Sequence, residues 1–303
     1  STIESYKADL KIIWVLVHDL AANKFFVELS KRDIVKIQNH CLNVFGWSPA
    51  RMRRIKSTMS SLSNYIESML DDEFEDYRPI IRKIENPAAC PVREKTVLED
   101  EQLEELLEHL VEKGKYDKAC MLAMAMHNGR RKSELPRMKV SYFTEDNIIY
   151  GSLYKSPEQV VTKGRGSRGK MLTIYTLKNG FQKYLDLWLK YREENGITSE
   201  WLIPKKENGV WTNEQLPTTT LDSWADSFSN FLGVPFYWHS LRHYFCTACS
   251  RNNLPDDIIK SLVGWESNDM VAIYKDIEAD EQFEKYFGED GIKQVEQKSL
   301  ADM

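Results

Sequence analysis

Apolar residues recur at spacings of three and four along most of this chain, the period of a helix buried on one side. Residues 1–88 read as helix throughout. In "GWSPARMRRIKSTMSSLSNYIESML", Ser48 suits an N-cap and Pro49 the first helical position, and Met52, Ile55, Met59, Leu62, Ile66 and Leu70 form one stripe. The opposite face carries Arg53, Lys56, Ser57, Ser60 and Asn64. Such a face is either simply solvated or suited to a phosphate backbone.

The pattern breaks at "NPAACPVREKT", so a linker is expected at 89–96 and a second domain over 97–303, with a tail from about residue 280. "VLEDEQLEELLEHLVEKG" begins acidic and closes on Lys113-Gly114, as a helix dipole favours, and "KYDKACMLAMAMHNG" predicts a buried helix ending at Asn128-Gly129. Strand-like pieces follow in "NIIYGSLY", "EQVVTKG" and "KMLTIYT", with "GRGSRG" as a turn before the last. Helices return with "GFQKYLDLWLKYREENG" and are expected to continue to the end. The predicted fold class is mainly α with a small antiparallel β-sheet.

Composition adds three constraints. The apolar run inside "LKIIWVLVHDL" falls far short of the ~20 residues that span a bilayer, so no membrane span or targeting segment is expected, and the cytoplasm is the expected location. Five cysteines form an odd, sparse set, which suits a reducing compartment. Cys246 and Cys249 have the spacing of a redox or metal pair, but no second pair exists and positions three apart on a helix suit small core residues better. The net charge of −5 argues mildly against a nucleic-acid partner, yet between Asn128 and Lys170 ten basic residues face four acidic ones. A basic face on an acidic protein responds to the local field, not to the sum.

Candidate chemistry lies in four ordered stretches. "NGRRKSEL" places Arg131 after a glycine at a helix end, with Glu134 one turn on. "TKGRG" puts Lys163 at a strand tip, beside the basic turn carrying Arg165 and Arg168. "HSLRH" sets His239 and Arg242 on one helix face, followed by His243. "GWESNDMVAIY" ends a helix at Gly264, places Trp265 just beyond it, and reaches Tyr274 nine residues later.

This series resembles the tyrosine recombinase, or phage integrase, family. Its signature runs from an arginine in a G-x-R-x-S-E-L box, through a lysine on a β-hairpin and H-x-x-R, to a histidine or tryptophan after a glycine and a nucleophilic tyrosine nine residues further. The resemblance covers about Lys95 to Asp280 in detail. The helical region before it looks like the family's core-binding domain in character only.

The resemblance implies that Tyr274 attacks a DNA phosphodiester and forms a covalent 3′-phosphotyrosyl intermediate, without metal, ATP or another cofactor. Negative charge built on phosphorus then calls for Arg131 and Arg242, with His239 and Trp265 adding hydrogen bonds and Lys163 protonating the 5′ oxygen. Trp265 departs from the commoner histidine and shifts proton handling toward His239 and Lys163. Glu134 and His243 would support from behind. Arg130, beside Arg131, is expected to be a surface or backbone-phosphate residue.

The implied partners are double-stranded recombination sites, bound as a homodimer per site and a homotetramer at synapsis, joined through the C-terminal tail. A close alternative is a type IB topoisomerase-like nicking and closing activity; a rival of another class is a non-catalytic helix-turn-helix binding module read in "TACSRNNLPDDIIKSLVGW".

Overall fold

A computed structural model of the chain describes residues 2–88, 98–162 and 170–265, together with two short strands near the C-terminus. Two compact units are present, Ser1–Glu94 and Lys95–Met303. The division falls inside the predicted linker, which itself lies outside the described residues.

The first unit contains α1 (Thr2–Leu20), α2 (Lys31–Asn43) and α3 (Pro49–Met69), packed around Ile13, Leu16, Ile34, Ile37, Cys41, Met52, Ile55 and Met59. The start of α3 follows the sequence rule: the Ser48 hydroxyl accepts the Arg51 N–H at 3.3 Å, and Pro49 opens the helix.

Its buried side is wider than the apolar stripe. Lys56, Thr58 and Ser63 are buried as well, and Lys56 is only 5% exposed. The expectation that Lys56 lies on the solvent face is therefore corrected. It stands one turn after Met52 and one turn before Met59–Ser60, so helical geometry carries it onto the buried stripe. Its aliphatic stem packs there while its ammonium donates to the Ile84 carbonyl. Asp9 of α1 is buried as well and accepts from the Thr58 hydroxyl at 3.1 Å and from Arg54. Arg53 is half-buried, its Nε donating to the Pro87 carbonyl at 2.8 Å. Ser57 is exposed, whereas Ser60 and Asn64 are half-buried.

The second unit is built on α4 (Asp100–Glu112) and α5 (Tyr116–Asn128). From Ala119 to Asn128 every residue of α5 is buried, which the run of alanines and methionines permits because small and pliable side chains let other elements approach from all sides. Strands β1 (Ile148–Ile149), β2 (Leu153–Lys155) and β5 (Tyr175–Leu177) form an antiparallel sheet in the order β1-β2-β5, and β3 (Val160–Thr162) pairs with β4 (Lys170–Leu172) as a separate hairpin. "KMLTIYT" thus splits between two sheets. The break at Ile174 is fixed by Ser156, whose backbone N–H donates to the Ile174 carbonyl and whose hydroxyl accepts the Ile174 N–H, both at 2.9 Å.

Helix α6 (Asn179–Glu194) follows, then a hairpin of β6 (Pro204–Glu207) and β7 (Val210–Gln215) that interrupts the expected unbroken run of helices. Its turn is Asn208-Gly209, both at positive φ, a dipeptide that signals a tight hairpin in the sequence itself. Helices α7 (Thr218–Leu232), α8 (Ser240–Arg251) and α9 (Asp256–Val263) complete the unit, and β8 (Phe287–Gly288) pairs with β9 (Gly291–Ile292) in the tail. The fold is mainly α with small antiparallel sheets. Among the described residues no helix is long and apolar enough to cross a membrane.

Candidate active site

Two helix ends meet at the centre of the second unit. Helix α5 stops at Gly129 (φ 57°) and α9 at Gly264 (φ 73°), both left-handed. The fit around them is tight: a Cβ on Gly129 would lie 2.6 Å from Phe245 Cδ1, and one on Gly264 would lie 2.5 Å from Leu172 Cδ1. The last carbonyls of a helix lack partners within it and carry its partial negative charge. Here guanidinium groups take them. Arg242, from α8, donates Nη1 to the Gly129 carbonyl at 2.8 Å and Nη2 to the Val263 carbonyl at 3.2 Å. Arg130 donates Nη2 to the Leu262 carbonyl at 2.5 Å.

Both of these arginines are enclosed, Arg242 at 0% and Arg130 at 1% exposure. The expectation of a surface or phosphate-contacting Arg130 is corrected: one position beyond the αL glycine, its side chain turns into the gap between α5 and α9. Burial first, partly opposed by Glu134 and aided by Arg242 and Arg131, brings its pKa down to about 10. The three guanidinium groups thus lie within one another's field. No run of residues in the sequence signals this crossing, because the carbonyls that Arg130 and Arg242 take are more than twenty positions away in the chain.

Arg131 is placed differently. Its side chain keeps 33% exposure, and the buried Glu134 holds it at two points, accepting the Arg131 backbone N–H at 3.2 Å and Nη1 at 3.0 Å. His239 stands at the N-cap of α8 and remains exposed, with the His243 ring 5.7 Å away and nearly perpendicular. Partial burial, then Arg242 and Arg131, lower the His239 pKa from the ordinary 6.5, which favours the neutral imidazole. The Arg242 guanidinium lies 4.6 Å from the centre of the Trp265 ring, which is itself buried. Arg131, Glu134, His239, His243, Arg242 and Trp265 are thereby gathered at the ends of α5 and α9 and the start of α8.

The β3–β4 hairpin reaches the same place through Leu172, which packs on Gly264. Its last pair is Thr162 and Lys170, closed by the Thr162 hydroxyl donating to the Lys170 carbonyl at 2.9 Å, and Arg137 donates to the Val161 carbonyl. Lys163, Arg165, Arg168 and Tyr274 lie outside the described residues. Cys246 and Cys249 are buried, and among the described residues no group of three or more His, Cys, Asp or Glu could hold a metal ion.

Residues 96–281 match the sequence profile of the phage integrase family. The chain belongs to that family. It is 28% identical over 230 residues to the SPbeta prophage-derived recombinase-like protein YomM of Bacillus subtilis (strain 168), a match covering 75% of this chain and 65% of that relative. The chain thus spans just under two thirds of the length of the curated relative it matches. Among solved structures, a lambda integrase tetramer bound to a Holliday junction is similar with a TM-score of 0.64 at 15% identity, over 91% of this chain and 71% of that one. XerH recombinase in a post-cleavage complex with its difH substrate gives 0.61 at 19% identity, over 85% and 71%. At these identities the similarity is one of fold.

Proposed function

We propose that the protein is a site-specific DNA recombinase that cleaves and rejoins strands through a 3′-phosphotyrosyl bond to Tyr274 and a Holliday junction. The observation that carries this reading is a one-third-exposed Arg131, held from behind by the buried Glu134 in the same unit that sets His239 at the start of α8 and Arg242 one turn on. A cation with free donors is what a phosphodiester needs as it gains charge, and a neutral imidazole can accept a proton or donate a hydrogen bond. Arg242 adds positive charge from the interior, where a low dielectric strengthens it, and Trp265 lies against it. Lys163 is the general acid toward the 5′ oxygen, Arg165 and Arg168 hold the DNA backbone near the hairpin, and His243 supports His239.

The partner is double-stranded DNA, bound by a dimer at each site and a tetramer at synapsis, with the tail after Asp280 joining neighbouring protomers. Both the lambda integrase and XerH relatives were captured on DNA. The reaction takes place in the cytoplasm, at the nucleoid. The first unit contacts DNA through the side of α3 that carries Arg53, Ser57, Ser60 and Asn64.

The test begins by selecting bound sites from randomised duplexes and converting them to nicked suicide substrates. The wild-type protein should form an adduct that survives denaturing electrophoresis, and Tyr274→Phe should not. No adduct on a site that the wild-type protein binds would overturn the proposal.

A further inference from the structure

Arg130 has more donors than its surroundings use. It is 1% exposed; its backbone N–H donates to Asn128 Oδ1 at 3.0 Å, and among the described residues its guanidinium makes a single hydrogen bond, from Nη2 to the Leu262 carbonyl. Among the described residues, Nε and Nη1 have no hydrogen-bond partner. A buried guanidinium with two unused nitrogens is a poor device for stability, since an apolar side chain of similar volume avoids the desolvation and fills the same space. Its location suggests another use. The backbone of Arg130 leads directly into Arg131, and its guanidinium reaches across to the last turn of α9, three residues before Trp265. Nη1 lies 3.3 Å from where a Cβ on Gly264 would sit, the same point that Leu172 of the β3–β4 hairpin approaches to 2.5 Å. One side chain therefore touches or adjoins three segments: the end of α5 that leads into Arg131, the end of α9 before Trp265, and the β3–β4 hairpin.

We infer that Arg130 is a positioning residue for strand cleavage: it fixes the end of α9 against the end of α5 and so sets Trp265 and the hairpin relative to Arg131. It touches no DNA. The inference rests on the recombinase reading for its kinetic consequence, but its structural half stands apart from that reading.

The experiment uses the full chain with Arg130→Met, which keeps the volume, and Arg130→Lys, which keeps one donor to the Leu262 carbonyl. Three quantities are read: the thermal midpoint, affinity for a selected DNA site, and the rate of covalent adduct formation. Hydrogen exchange is followed at the amides of residues 260–265. R130M should match the wild type in DNA affinity within about twofold and melt at or above the wild-type temperature, yet form adduct more slowly by about tenfold or more, with exchange raised at 260–265. R130K should recover part of both losses.

A wild-type adduct rate in R130M would overturn the inference, as would unchanged exchange at 260–265. A fall in DNA affinity equal to the fall in rate would instead make Arg130 a DNA contact and overturn it too. Should R130M unfold, R130K alone decides, since it must show the same split between affinity and rate. Should the wild-type chain form no adduct, the recombinase reading fails, and the exchange measurement still tells whether Arg130 holds α9.

Discussion

The Arg242 guanidinium donates to the Gly129 carbonyl at 2.8 Å, joining α8 to the end of α5 across 113 positions of sequence. The same group also reaches Val263, so one side chain ties two helix ends with two parallel donors. A lysine keeps the charge but has a single head and cannot span both carbonyls. Arg242→Lys should cost about 2 kcal/mol of stability by urea titration, the range for a lost hydrogen bond to a charged group. Adduct formation should fall by about a hundredfold or more, because both the ends and the interior charge shift. A variant with wild-type stability would show that the two carbonyls do not depend on Arg242.

Gly264 combines φ 73° with a contact that leaves no room for a Cβ. Gly264→Ala should cost ~1–2 kcal/mol from the left-handed backbone alone, and more from the clash with Leu172. The thermal midpoint measures the sum. The Gly46→Ala control shares the positive φ but has nothing within 4 Å, so the difference between the two isolates the packing.

Glu134 holds Arg131 from a buried position, and the arginine is one-third exposed. Glu134→Gln keeps the shape and an acceptor but removes the charge. Adduct formation should slow by about tenfold with DNA affinity nearly unchanged, the pattern of a group that orients another. Equal losses in affinity and rate would point to a different role.

His239 and His127 both have pKa values lowered in the folded protein, His127 by burial and His239 by partial burial with Arg242 and Arg131. The unfolded chain takes up these protons near the ordinary 6.5, the folded chain only at lower pH. Below about pH 6.5 the unfolded state therefore binds more protons, and stability falls as pH drops through this window and levels once the folded values are passed. Urea midpoints at about pH 7.5 and about pH 5.5 should differ, and His239→Gln should narrow the difference. Equal midpoints in the wild-type protein would contradict the lowered values.

Lys56 spends its ammonium on the Ile84 carbonyl inside the first unit. Lys56→Met should leave DNA affinity within about twofold and the salt dependence of binding unchanged, because no phosphate contact is lost. Fluorescence titration at several salt concentrations reads both. A shallower salt slope would return Lys56 to the DNA surface.

Local rules in the sequence determined much of this protein. Ser48-Pro49 opened α3, and Gly129 and Gly264 ended α5 and α9, because capping and left-handed backbone are decided by the residue itself and its near neighbours. The order of Arg131, His239, Arg242 and Trp265 was legible through the resemblance to a family signature, which is itself a pattern of residue types and spacings. The Asn208-Gly209 turn was also written in the sequence, though the run of helical periodicity around it masked the hairpin.

Tertiary structure alone decided which way charged side chains face. Lys56, Arg130 and Arg242 carry full charges, and periodicity assigns charge to the surface by default. Each is buried because a backbone carbonyl distant in sequence, at Ile84, Leu262, or Gly129 and Val263, awaits its donors. Those partners become neighbours only when the helices pack, and so no local pattern could show them.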